Sequence, residues 1–285
     1  MLPRKVDLVL NTIDHLRPIP SSVTRILKEI DNPNTMVSTI AEYIGLDQAL
    51  TAMVIKTANA AALGYSKECS SINDAVMRIG FKRLKAILFA LNAVGPMTGR
   101  LNGYRLGSGQ LWDHSLKIAI ASEWLARRLN YKDPESVYIV GLLHDIGKLL
   151  MDQFVLEDYQ KIVQYVHDYR IPVWKIEEKL IGIDHANLGG LMASRWNFPE
   201  ALVEGIRYHH APSAAANNQA LPAMVNLGNS LATQKDEYLN ELFSNDLHSD
   251  TLSILNVNLD DLDTLRAGVY NILGFEPDVS EQGAD

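Results

Sequence analysis

Apolar positions recur at helical spacing along nearly the whole chain. Val6, Val9, Leu10 and Ile13 mark a first amphipathic helix. Val23, Ile26, Leu27 and Ile30 mark a second, with Ser21 or Ser22 as its expected cap and Asp31-Asn32-Pro33 as its stop. Residues 36–44, closed by Gly45, and 50–63, closed by Gly64, continue the series. Ser71-Ile72-Asn73-Asp74 has the capping-box pattern and predicts a helix behind it, and residues 81–94 predict another, up to Gly95-Pro96. Residues 99–109 hold four glycines and read as an internal linker. Beyond it a long helix is predicted over 110–129. Asp133-Pro134 opens a further one over 134–151, apolar on nearly every face and so expected to be central. Helices over 159–169, 174–181 and 184–196 follow, and Pro199 opens one that ends at His209-His210-Ala211-Pro212. Residues 213–219 are small and polar and read as a mobile loop. Helices resume over 222–232 and 259–273, and 276–285 is expected to be a disordered tail. No hairpin or internal repeat stands out, so the fold class is all-α.

Composition narrows the picture. The chain has 285 residues, 47% of them hydrophobic and 21% charged, which is ample for a packed core. A net charge of -8 disfavours broad nucleic-acid binding. Residues 39–54, with Gly45 in the turn, loosely fit a helix-turn-helix, and Arg78, Lys82, Arg83 and Lys85 form a local basic cluster. The second helix of that pair, however, carries few side chains able to read bases. Cys69 is the single cysteine, so no internal disulfide forms. No apolar run reaches membrane-spanning length and the N-terminus lacks a signal-peptide core, so a cytoplasmic protein without a membrane partner is expected.

The chemistry concentrates in Gly141-Leu142-Leu143-His144-Asp145-Ile146-Gly147-Lys148. An ionised carboxylate in so apolar a helix requires partners. Gly141, His144, Asp145 and Lys148 share one face of a continuous helix, with Gly141 leaving room beside the polar trio. That face suits the wall of a polar pocket or metal site. The plainer reading is a Lys148–Asp145 pair, with His144 bonded to a backbone carbonyl. His114 lies on the preceding helix. His185 lies at a helix start, where the dipole favours a neutral ring, and His209 and His210 close another helix. These are five of the eight histidines; His15, His167 and His248 are expected at the surface. Imidazoles with a carboxylate suit iron, manganese or zinc. Asn59 is expected to bond a neighbouring backbone, Glu177-Glu178-Lys179 to be a solvated face, and the four tryptophans to serve packing.

The order His114, His144-Asp145, Lys148, His185, His209-His210 resembles the HD metal-dependent phosphohydrolases and their HD-GYP branch. The N-terminal stretches 16–20, 40–50, 58–64 and 71–80, with 184–200 and His209-His210, are similar to the HD-related output domain (HDOD) family. The resemblance implies a two-part, multi-helical module over 10–212. An N-terminal helical half (10–105) would pack on an HD-like half (106–212), which a C-terminal extension (213–275) completes. Two departures bear on activity. Asn229 replaces the expected last aspartate of the HD pattern, and no Gly-Tyr-Pro signature follows His210; the acidic ligand of some HD-GYP enzymes aligns with neutral Gln110. With Asp145 the lone anion among the matched positions, a two-metal hydrolytic centre is disfavoured. A single metal on His114, His144, Asp145, His185, His209 and His210, with Asn229 as a weak candidate, stays open, as does an empty hydrogen-bonded core. The expected function is a non-catalytic signalling module that binds a partner protein or small ligand. The alternative is a metal-dependent phosphohydrolase acting on a nucleotide or cyclic dinucleotide, with Asp145 and Lys148 catalytic.

Overall fold

The structure is a computed structural model that describes residues 5–14, 20–59, 68–69, 71–92, 99–169, 171–232 and 247–275. The fold is all-α; among the described residues the sole extended pairing is one antiparallel bridge between Leu101 and Leu106. A first layer comprises α2 (Ser21–Ile30), α3 (Val37–Gly45), α4 (Gln48–Ala58), α5 (Ile72–Ile79) and α6 (Phe81–Asn92). Here α3 packs on α2, α4 and α5, and α5 packs on α4 and α6. Asn59 clamps the backbone of Cys69, accepting from its N–H at 2.6 Å and donating to its carbonyl at 3.2 Å.

The centre of the molecule is α7 (Gln110–Arg128), α8 (Pro134–Leu143) and α13 (Ala220–Ala232), each in contact with the other two. Every residue of α8 from Val137 to Leu143 is buried, as its all-round apolar sequence requires. Around this core run α9 (Lys148–Tyr169), α10 (Val173–Ile181), α11 (His185–Arg195) and α12 (Glu200–Arg207), while α14 (Thr251–Leu255) and α15 (Leu262–Leu273) close over α13. The first helix, α1 (Lys5–Asp14), lies on α9 rather than on its sequence neighbours. The two layers meet where α6 packs on α8 and where Phe89 stacks on Trp196. One continuous set of buried apolar residues runs through both, from Val9 to Val269.

Several expectations change. Pro20, not Ser21 or Ser22, precedes the first turn of α2: its carbonyl accepts from Thr24 N–H, and the serines sit exposed inside the helix. The helix expected over 134–151 is broken at 144–147, and its second part continues unbroken through 159 to Tyr169. The expected linker at 99–109 is a folded turn whose Leu101, Tyr104 and Leu106 are buried. The expected loop at 213–219 is pinned: buried Glu204 of α12 accepts from the backbone N–H groups of Ala216 and Asn217 and from the Asn217 amide. A short helix, α14, was not foreseen. The expected ends of the helices over 50–63 and 81–94, His15 and the tail after 275 lie outside the described residues, and so does the His167 side chain. His248 is 28% exposed.

Candidate metal centre

The break between α8 and α9 makes the site. From His144 onward the backbone bonds tighten to three-residue spacing, with Ile146 N–H on Leu143 and Lys148 N–H on Asp145. The turn points two polar side chains inward where a straight helix would have carried them along its flank. Gly147 permits it. A Cβ on Gly147 would lie 2.0 Å from the carbonyl oxygen of His185, so the turn can press onto the start of α11 because none is there. Gly141 has a different role from the expected one: a Cβ there would meet the Ala119 backbone at 2.7 Å, so it brings α8 against α7 rather than leaving room for polar groups.

The five histidines and Asp145 converge. Asp145 is the hub. Its Oδ1 lies 3.1 Å from His185 Nε2, and its Oδ2 lies 2.8 Å from Lys148 Nζ, 3.4 Å from His144 Nε2 and 3.6 Å from His114 Nε2. His210 Nε2 lies 3.1 Å from His185 Nε2, and the His209 ring sits 4.9 Å from that of His144 and 4.0 Å from that of His210. Trp174 stacks on His210 at 5.4 Å. None of the six side chains is appreciably exposed: His114, at 9%, is the most open of the trio around Oδ2. The ligand atoms fall into two triplets, each within 4.8 Å: His185, His209 and His210, and His114, His144 and Asp145.

Electrostatics follow from burial and the carboxylates. Burial holds His114, His209 and His210 well below the usual imidazole pKa, and His144 below it. Burial opposes the Asp145 charge, yet His144, Lys148 and His185 hold its pKa well below the usual carboxylate range. His185 corrects the dipole argument. Burial lowers its pKa, but Glu177 and Asp145 drive it up to about 9, because two carboxylates in contact outweigh partial charges at a helix end.

Glu177 is the residue that sequence reasoning misplaced. It is fully buried, and its Oε2 accepts from His185 N–H at 2.8 Å and faces His185 Nδ1 at 2.7 Å. Tyr104 OH donates to its Oε1 at 2.6 Å. The signal was present: Val173, Ile176, Leu180 and Ile181 set the apolar stripe of α10, and position 177 falls inside it. Only Glu178 and Lys179 of that run are solvated. Gln110 accepts from Gly107 N–H and so caps the turn before α7, and Asn229 is buried on α13, where its neutral amide brings no charge.

The sequence pattern of the HDOD domain matches residues 16–212. The chain belongs to the HDOD domain family. Its fold is similar to that of a proposed phosphohydrolase from Shewanella amazonensis SB2B, with 26% identity and a TM-score of 0.68 over 93% of this chain and 94% of that one. A proposed signal transduction protein from Marinobacter aquaeolei VT8 shares the fold at 20% identity and a TM-score of 0.66, over 96% of this chain and 61% of that one. An uncharacterized protein of Treponema pallidum (strain Nichols) is 28% identical over 223 residues, 74% of this chain. The HDOD chain spans 42% of that relative's length.

The residues of this HDOD module fit a metal ion. His144 Nδ1 faces the Gly141 carbonyl at 2.8 Å and His209 Nδ1 faces that of Ile206 at 2.7 Å, which places the ring proton on Nδ1 in both. Their Nε2 atoms are thereby left as acceptors, buried and without a hydrogen-bond partner in the protein. A buried acceptor without a partner is costly, and a cation held at either triplet would satisfy it. Among the described residues no helix is long and apolar enough to cross a membrane.

Proposed function

We propose that the chain is a regulatory, non-hydrolytic HDOD module whose buried cluster holds one divalent transition metal and which signals by binding a partner protein or small ligand. The observation that carries this is the position of Lys148. Its ammonium sits 2.8 Å from Asp145 Oδ2, beside His114 and His144, and places a fixed positive charge at one triplet. The other triplet, His185, His209 and His210, faces Asp145 Oδ1 and has Glu177 behind it. Once a metal ion displaces the His185 proton, three imidazoles and a carboxylate are suitable ligands for iron, manganese or zinc. A second ion would add two positive charges to a site whose carboxylates are Asp145 and Glu177, already faced by Lys148. Catalytic metal centres also keep an approach for substrate, whereas these side chains are buried. The bound ion would tie the 144–147 turn to the start of α11 and the turn after α12.

The basic cluster does not favour nucleic acid. Arg78 pairs with Asp74, Lys82 with Asp133, Arg83 with Glu123 and Lys85 with Asp31.

Elemental analysis of protein purified without chelator should find about one transition-metal ion per chain, lost in His209→Ala. Hydrolysis of bis(p-nitrophenyl) phosphate and of cyclic dinucleotides should stay at background. The hydrolase reading is supported by the retained histidine set clustered with Asp145. Metal-dependent turnover that disappears in Asp145→Ala would establish it and overturn the proposal; metal-free protein that takes up none on addition would remove the metal.

A further inference from the structure

An imidazole ligand is oriented by what its other ring nitrogen touches. For His185 that contact leads out of the cluster. Its Nδ1 meets Glu177 Oε2, and Glu177 Oε1 accepts from Tyr104 OH. Tyr104, Glu177 and His185 are all fully buried. Tyr104 is not part of the HD-like sequence pattern: it sits in the turn at 101–106, on the segment that joins α6 to α7. Asp152 of α9 anchors that turn by its backbone. Its Oδ1 accepts from Gly103 N–H at 2.7 Å and Tyr104 N–H at 3.2 Å, and its Oδ2 from Asn102 N–H at 3.2 Å.

We propose that Tyr104 is a positioning residue of the metal centre. Through Glu177 it sets the plane and basicity of the His185 ring, so that seating of the 101–106 turn and loading of the metal are coupled. This rests on the reading that the cluster holds a metal. A carboxylate bonded through one oxygen can pivot about its last carbon–carbon bond; a second bond, from a buried phenol, fixes its plane. Without that hydroxyl, buried Glu177 Oε1 loses its donor and the His185 ring loses its reference. Coupling of this kind is reciprocal. Metal that binds better when the turn is seated must also hold the turn in place.

The test uses the full chain with Tyr104→Phe, which keeps the ring and deletes the hydroxyl. In metal-free protein, the ring-nitrogen NMR signals of His185 should shift while those of His114 stay in place. In competition titrations with Zn2+ against a chelator, the variant should bind about tenfold more weakly, the lower end of what loss of such a supporting contact costs. In the wild type, Zn2+ should slow hydrogen exchange at the Gly103 and Tyr104 amides, and in the variant it should not. If Tyr104→Phe does not fold, Asp152→Asn loosens the same turn without touching Glu177 and should weaken Zn2+ in the same direction. Unchanged His185 signals with unchanged Zn2+ affinity overturn the inference. A wild type that takes up no Zn2+ overturns the metal reading instead, and the His185 signals still decide whether Tyr104 governs the ring.

Discussion

At the scale of single residues, the site depends on atoms that are missing as much as on those present. Gly147 is the clearest case. A methyl group there would overlap the His185 carbonyl and approach Gly189 N at 2.7 Å, and both neighbours are backbone. Neither can swing aside as a side chain would. Gly147→Ala should therefore destabilise the protein by roughly 2–3 kcal/mol, in the range for forced overpacking. Urea unfolding measures it, and an unchanged midpoint would contradict the close approach of the turn to α11. Glu177 teaches the opposite lesson. Its charge suggested solvent, but its place in an apolar stripe decided its burial, and burial then made it the partner of His185.

At the scale of elements, helices are placed by polar clamps between segments far apart in sequence. Lys5 of α1 pairs with Asp158 and, at 3.3 Å, with Glu157 of α9. The Lys5 and Lys161 ammonium groups hold the Asp158 pKa below the ordinary aspartate value. A depressed carboxylate contributes stability above its unfolded pKa, and that contribution is lost as pH falls through the folded value. Lys5→Ala should thus lower stability at pH 7 by about 0.5 kcal/mol, a figure kept small because the lysine is partly solvated. The difference from wild type should close below about pH 3, as followed by urea unfolding at a series of pH values. A gap that persists in acid would assign the effect to lost packing instead. The same principle accounts for the two segments taken as loose. The turn at 101–106 and the stretch at 213–219 have the small, polar composition of loops, yet Asp152 and Glu204 satisfy their backbone N–H groups from helices that composition does not reveal.

At the scale of the whole molecule, the cluster ties the central helices to those around them. His114 comes from α7, Asp145 from the turn after α8, His185 from α11, and His209 and His210 from the turn after α12. A ligand that binds such a site in the folded state and not in the unfolded chain stabilises by mass action, about 2.7 kcal/mol at a hundredfold excess over its Kd. Removing metal with a chelator should lower the thermal midpoint by several degrees, and restoring it should recover the loss. His210→Ala should respond to neither treatment. Because α6 packs on α8 and Arg83 pairs with Glu123 across the layers, the loss should appear as one transition rather than two.

By itself the sequence determined the helical class, most helix positions and the identity of the converging histidines and Asp145. Those follow from local periodicity and from residue types that are conspicuous among apolar neighbours. Tertiary structure alone decided that the helix breaks at 144–147 and that Glu177 and Tyr104 stand behind His185. The physical reason is that the protonation, solvation and orientation of a polar side chain depend on what packs over it. In this fold some of those neighbours come from far along the chain, as Tyr104 does to Glu177, 73 residues away.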